Sequence, residues 1–466
     1  MSVRMKPIPF ALVALLAGCA VGPDYKRPDS AMPTQYTEAD LPGAAQAVNR
    51  EWWKLYRDPV LDELVAQALA ANADLQQAAA RVEEADAVMR QTGAALFPEI
   101  DAGASDMRTR SSSTDAAPLG TLPAVQEKMR MTVGTSFELD FWGKLRRASE
   151  SARASYLATS YGRDTLALTL AGLVTQGYAA LRTLDAQIKV SNETLASRDA
   201  ALKIVQTRFN SGLSSELDLR QAEGAQAAAV AQVADLVQQR ALAEHQLALL
   251  TGRMALKLPA GDLDKLPLPP IPPAGLPSSL LEARPDVRQA EAQLAAANAR
   301  IGVAKAYLFP SISLTGLLGG ESAQLAGLLS SPSKIWTAGF GLNLPIFDAG
   351  RLSAQVDQAT AQQTQALAAY QKAVQSAFKD VNDALVSLRQ SAEKEKALDA
   401  QVKAAARALK LAEARYQSGY SPYLEVLDSQ RTLNDATLSL LRNRQARLSA
   451  SADLFRALGG GWQPAG

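Results

Sequence analysis

Glu425 and Asp428 stand three residues apart in Pro422-Tyr423-Leu424-Glu425-Val426-Leu427-Asp428, a spacing that places both carboxylates on one face of a helix. Two chemistries suit such a pair. Acids in the first turn of a helix are favoured by the helix dipole, by about 0.3–1 kcal/mol each. Repeated around an axis, the same pair becomes a ring of carboxylates. Such a ring selects cations, and an apolar ring from Leu424 beside it would gate by dewetting. Catalytic chemistry has less to work with. The one His, His245, lies in Ala243-Glu244-His245-Gln246-Leu247, an ordinary helical context. There is no nucleophile elbow, no His-Glu-x-x-His and no phosphate loop. Gly459-Gly460-Gly461 does not connect a strand to a helix. One Cys and one His leave neither a disulfide framework nor a zinc cluster. No enzyme, metal site or dissociable cofactor is expected.

The acidic pair follows a turn that is written twice. Arg208-Phe209-Asn210-Ser211-Gly212 matches Arg415-Tyr416-Gln417-Ser418-Gly419. Gly212 and Gly419 suit the left-handed position that ends a helix. Ser214 and Ser421 are the expected caps of the next helix, and Pro422 fits its first turn. The first-half counterparts of Leu424, Glu425 and Asp428 are Leu217, Asp218 and Gln221, one acid fewer. Three further matches come in the same order. Asn72 to Ala78 is echoed by Arg284 to Ala290, and Phe97-Pro98-Glu99-Ile100 by Phe309-Pro310-Ser311-Ile312. Phe137 to Asp140 is echoed by Leu342 to Pro345. The chain is a duplicated unit, and the Pro-rich stretch from Pro259 to Pro285 reads as an extended linker between its halves.

Each half reads as helix, two strands, very long helix, turn, helix. Leu352 to Ser418 contains neither Gly nor Pro, and Lys144 to Ser211 contains no Pro. At 1.5 Å per residue each stretch allows a helix of about 100 Å. Leu398, Val402, Ala405, Leu409, Ala412 and Tyr416 form a heptad seam, and Leu352, Val356, Ala359, Ala366, Tyr370, Ala373 and Ala377 largely form another. Ala, about a fifth of the chain, lets such helices approach closely. The strands alternate. Met131, Val133, Thr135, Phe137, Leu139 and Phe141 share one face, as do Trp336, Ala338, Phe340, Leu342, Leu344 and Ile346. Polar or small residues take the other faces. Partner strands begin near Phe97 and Phe309. Apolar-out, polar-in segments of about ten residues are the pattern of a membrane β-barrel. Four strands are too few to close one, so copies of the chain must complete it.

Charge and the N-terminus complete the reading. With 48 basic and 47 acidic residues, the chain lacks the basic excess of a nucleic-acid binder. Arg4 and Lys6 precede an apolar run, Ile8 to Ala17, too short to span a bilayer. It ends in Leu16-Ala17-Gly18-Cys19, which resembles the bacterial lipoprotein processing box. Cys19, the one cysteine, is the expected lipid attachment point, carrying diacylglycerol and an N-acyl chain. Ala20, where inner-membrane lipoproteins often have Asp, points to the outer membrane. Cleavage removes Arg4 and Lys6, which leaves 46 basic residues against 47 acidic ones.

Together these residues resemble the TolC-type outer-membrane factors, in the lipoprotein branch with OprM- and NodT-like efflux proteins. The motifs that carry the resemblance are Cys19-Ala20-Val21-Gly22-Pro23-Asp24-Tyr25 with Pro28, Trp52-Trp53 with Asp58-Pro59 and Leu61, the two Phe-Pro strand starts and the two Ser-Gly turns. The resemblance implies a membrane β-barrel plus a long α-helical barrel. Three copies would give a homotrimer with a twelve-stranded barrel in the Gram-negative outer membrane and a periplasmic α-helical tunnel. It implies an exit duct for small molecules, served by a periplasmic adaptor and an inner-membrane efflux transporter of the RND type; the alternative is the outer-membrane component of type I protein secretion. Glu425 and Asp428 match the acidic gate, Leu424 the apolar ring, and Tyr416 a lock between helices, with Leu217 and Asp218 as first-repeat counterparts. The lock's partner Arg is replaced by Ser421, so closure is expected to rest more on Leu424. Adaptor docking is expected at Gly212, Leu213, Ser214, Gly419, Tyr420 and Ser421. The expected divisions are a signal peptide at 1–18, an anchored extended segment at 19–60, repeats at 61–252 and 286–458 around a linker at 253–285, and a tail at 459–466.

Overall fold

The computed structural model describes residues 20–29, 33, 36–37, 49–110, 125–271 and 280–463; Cys19 and the apolar run before it lie outside them. The element order is α1 (Pro59–Ala71), α2 (Ala73–Ala94), β1 (Glu99–Arg110), β2 (Val125–Leu139), α3 (Lys144–Asn210), α4 (Glu216–Leu250), α5 (Leu280–Ala283), α6 (Pro285–Ala306), β3 (Ser311–Ser322), β4 (Lys334–Asn343), α7 (Arg351–Gln417) and α8 (Tyr423–Ala457). The duplication is visible in element lengths. α2 and α6 have 22 residues each, α3 and α7 have 67, and α4 and α8 have 35. The chain divides into two compact units.

The first unit comprises residues up to Pro28, Arg81–Thr159 and Ala290–Tyr370. Its sheet has the order β1-β2-β3-β4, antiparallel throughout, so among the described residues β1 and β4 are free edges. Directly opposed residues share a face. The pairs Ala102–Val133, Phe137–Leu314, Val133–Leu318, Leu314–Phe340 and Leu318–Trp336 therefore make one apolar face, and most of its large side chains are exposed. Phe141, Leu344 and Ile346 fall just beyond the strands. Arg108 and Glu127 pair at 3.3 Å on the apolar face, beyond Met129. On the opposite face Lys128 meets Glu321 at 2.8 Å.

The described N-terminal residues are clamped to this unit. The Val21 N–H donates to the Trp142 carbonyl at 2.9 Å, and Asn298 Nδ2 to the Pro23 carbonyl at 2.8 Å. Arg147 reaches Asp24 at 2.5 Å, and Arg27 reaches Glu291 at 2.7 Å. Gly22 has φ +107°, and a Cβ there would lie 2.5 Å from Gly302 Cα, so only glycine permits this approach.

The second unit comprises Asp29–Ala80, Ser160–Gln289 and Gln371–Gly466. Its core gathers Trp52, Tyr56, Leu61, Val65, Val174, Tyr178, Leu181, Leu247 and Phe455. Asp58 caps α1 by accepting from the Val60 and Leu61 amides, with Pro59 at the first helical position. Its other oxygen takes the Tyr178 hydroxyl at 2.6 Å. The described part of the Pro-rich stretch is packed, not free. Asp185, buried, accepts from Arg182, Arg240 and the Gly261 amide. Glu244 accepts from the Leu258 amide at 2.7 Å. Leu256, Leu263 and Leu266 sink into the core alongside. On α7 the predicted seam is the inward stripe: Ala405 and Ala412 are buried, and Leu398, Val402, Leu409 and Tyr416 are partly so. Among the described residues, no helix is long and apolar enough to cross a membrane, and no three His, Cys, Asp or Glu side chains gather as a metal site.

Candidate functional site

The acidic pair and its counterparts lie in the second unit, at the turns joining α3 to α4 and α7 to α8. Both long helices end alike. Gly212 has φ +72° and Gly419 φ +78°. The amides of Gly212 and Leu213 donate to the carbonyls of Phe209 and Arg208, at 2.9 and 2.8 Å. Those of Gly419 and Tyr420 donate to Tyr416 and Arg415, at 3.0 and 2.9 Å.

The entries into the next helices differ. Ser215, not Ser214, is the N-cap of α4, and it forms a full capping box. The Asp218 amide donates to Ser215 Oγ at 3.1 Å, and the Ser215 amide donates back to Asp218 Oδ2 at 3.2 Å. The hydroxyls of Ser215 and Ser214 donate to the same oxygen, at 2.8 and 3.1 Å. Asp218 is thus committed within its own turn. In the second turn Pro422 occupies the N-cap instead of the first helical turn, and α8 has no side-chain cap. Proline offers neither hydroxyl nor N–H. Ser421 does not cap either: its hydroxyl is buried without a partner. A capping box is therefore impossible, and Glu425, in the place of Asp218, is left for other work. It faces Arg415 at 3.9 Å, with both side chains well exposed. Asp428 pairs with Arg431 at 2.8 Å, also in the open.

Leu424, Glu425, Asp428 and Arg431 all stand exposed along α8, while Tyr423 and Val426 turn into a small core with Val205, Leu219, Ala222 and Ala412. The helical period sorts the two sets. Each acid in the open carries a basic neighbour from its own chain, a feature the spacing alone did not reveal.

Tyr416 meets an arginine of its own chain. The Arg208 guanidinium lies 4.7 Å from the Tyr416 ring centroid, a cation–π distance. The Tyr423 ring is 5.3 Å beyond. Burial pushes the Tyr423 hydroxyl up to about 12, with Tyr416 adding to the shift and Arg198 opposing it. The signal for Arg208 was present in the repeated Arg-Phe and Arg-Tyr pairs. What the sequence does not contain is the packing that brings α3 against α7. At the tips, Leu213 is 79% exposed and Tyr420 81%. A Cβ at Gly212 or Gly419 would meet nothing within 4 Å.

A model of the outer membrane efflux protein family matches residues 64–253 and 276–460. The chain is 36% identical over 463 residues to the toluene efflux pump outer membrane protein TtgF of Pseudomonas putida, covering 97% of this chain and 96% of that one. It is 35% identical over 471 residues to the cation efflux system protein CusC of Escherichia coli, covering 98% and 99%. Among solved structures, the outer-membrane channel OprN matches with a TM-score of 0.89 at 30% identity, covering 96% of this chain and 100% of that one.

Proposed function

The chain belongs to the outer membrane efflux protein family, and from that premise we propose that three copies form the outer-membrane exit duct of a tripartite efflux system. Small molecules pass from an inner-membrane transporter, through a periplasmic adaptor, into this duct and out of the cell. The observation that carries the proposal is the sheet of the first unit. It exposes an apolar face and leaves two free edges, β1 and β4. An open edge cannot face lipid, so the strands of neighbouring copies must pair with it. Three copies of four strands close a twelve-stranded barrel.

The gate is placed at the second turn. Leu424 supplies an apolar ring, Glu425 and Asp428 a ring of carboxylates, and Tyr416, held by Arg208, fixes the end of α7 beside them. Leu217 and Asp218 form a weaker first-repeat counterpart, because Asp218 is occupied in its capping box. The exposed tips around Gly212, Leu213, Ser214, Gly419, Tyr420 and Ser421 are the adaptor-docking turns. Cys19 carries the lipid. The described residues that follow it are held just after β2: the Val21 amide donates to the Trp142 carbonyl, and Ala20 lies against Gly143. The RND-type transporter upstream chooses the cargo: relatives named for toluene and for cations are similar to this chain to nearly the same degree.

Mass in detergent and single-channel conductance in a planar bilayer test the reading together. A trimer that conducts is expected. A monomer without conductance overturns it.

A further inference from the structure

We propose that the loop joining β3 to β4, residues 323–333, is a membrane foot: it folds back over the apolar face of the sheet and puts Leu325 and Leu329 into the acyl chains of the outer leaflet. β2 and β4 run from this end of the sheet towards α3 and α7, so the loop lies at the end away from the long helices. Two small residues at the end of β3 seat it. Gly320 pairs with Met131 on one side and Lys334 on the other, and Ser322 pairs with Met129. Both therefore share the face of Leu314 and Leu318. A Cβ on Gly320 would lie 2.1 Å from the Leu328 carbonyl oxygen, and one on Gly327 would lie 2.7 Å from Ser322 Oγ. The loop backbone thus rests on that face, against the strand. Gly320 is accordingly buried, whereas Leu318, two residues before it, is exposed.

The chemistry of the loop suits hydrocarbon. Residues 323–333 carry no charged side chain. Leu328 is buried, but Leu325 is 72% exposed and Leu329 85%, an unfavourable arrangement in water. Within lipid, backbone N–H groups need partners in the chain itself. Those of Gly327, Leu328, Ser330 and Ser333 find them in successive tight turns, on the carbonyls of Gln324, Leu325, Gly327 and Ser330. The Gln324 amide donates to Ser322 Oγ at 3.2 Å. Beside the loop, Lys334 and Trp336 pair with Gly320 and Leu318 and stand exposed on the same face. Trp collects at a membrane–water boundary, and Lys reaches from there to the headgroups. The lipid that covers the rest of this face is thus continuous with the place where the two leucines stand.

The foot rests on the barrel reading, and its test separates the two. Leu318→Cys, Leu325→Cys, Leu329→Cys and Tyr420→Cys variants of the full chain are spin-labelled and placed in vesicles of phosphatidylethanolamine and phosphatidylglycerol. The unaltered chain, labelled in parallel, gives any signal from Cys19 to subtract. Oxygen concentrates in hydrocarbon and a nickel chelate in water, so their relative effect on spin relaxation reports the surroundings of each label. Leu318→Cys is the reference on the sheet, and Tyr420→Cys the reference in water. Labels replacing Leu325 and Leu329 are expected to be oxygen-dominated, like the one replacing Leu318. Adding Gly320→Ala, whose Cβ displaces the Leu328 carbonyl, should shift both loop labels to the nickel-dominated response and leave the sheet label unchanged. Nickel-dominated loop labels beside an oxygen-dominated sheet label overturn the foot and leave the barrel standing. Loop labels that neither agent reaches, covered by a neighbouring copy, overturn it too. A nickel-dominated sheet label overturns the barrel reading itself, and the foot with it.

Discussion

The two interhelical turns leave their long helices in the same way and enter the next helices differently. Ser215 and Pro422 occupy equivalent positions, and this one difference decides what the acid three residues later does. With a serine there, Asp218 closes a reciprocal box, and one of its carboxylate oxygens takes three local donors. With a proline there, Glu425 remains in the open. The helices beyond diverge in the same sense. α4 exposes Leu217, Val230, Val237, Leu242 and Leu249, whereas the exposed positions of α8 include Glu425, Asp428, Arg431, Asp435 and Arg442. Exposed apolar side chains on α4 suit contact with another protein surface, whereas the exposed charges of α8 suit contact with water. Duplication supplied one scaffold, and the second copy of its turn is free of the capping box that the first one closes.

The contrast can be broken by experiment. The largest effect is expected from Glu425→Ala combined with Asp428→Ala, which should move the cation-to-anion permeability ratio in a planar bilayer toward one, while Asp218→Ala leaves it near the parent value. Equal effects from the two would erase the distinction between the turns. Next, Pro422→Ser restores a hydroxyl and an N–H at the N-cap. Glu425 should then be drawn into a box, lowering selectivity while stabilising the start of α8 by about 1 kcal/mol, read as slower amide exchange there. Conversely, Asp218→Ala should cost the start of α4 about 1 kcal/mol, read as exchange about fivefold faster at Glu216–Leu219. The smallest effect is expected at the shared core. Arg208→Gln removes the cation–π contact with Tyr416 and should cost about 0.5–1 kcal/mol, seen as a slightly lower melting temperature, with Arg208→Lys recovering part of it.

Much of the fold is legible in the sequence because it is periodic. The stripe from Leu398 to Tyr416 and the alternation from Met131 to Leu139 each repeat a geometric rule over many residues, so no single position decides the reading. At the candidate site the sequence names the residues, and their role as a gate is our proposal. Glu425, Asp428, Leu424 and Tyr416 were found by spacing and by resemblance, and Leu424 and the two acids stand exposed along one helix. The misses are of another kind. Ser214 and Ser215 differ by one residue, and only the backbone path after Gly212 selects the cap. Arg208 reaches Tyr416 across a long sequence separation. Asp185 pins the Pro-rich stretch at the Gly261 amide, while Arg182 on its own helix and Arg240 on α4 donate to the same carboxylate. Contacts of that sort follow from how helices pack, which composition and periodicity do not encode.

The strand register carries a length as well as a topology. On β2 the outward apolar face runs from Met131 to Leu139; on the same face Asp106 stands opposite Met129, and the Arg108–Glu127 ion pair lies immediately beyond. At about 3.3 Å per residue, with the tilt of about 40° usual in membrane barrels, that run spans about 20 Å of bilayer. Asp106 and the ion pair mark where hydrocarbon must give way to headgroups. The sheet is therefore matched to a thin membrane, and a thicker one would have to compress around it at a cost for every ångström of mismatch.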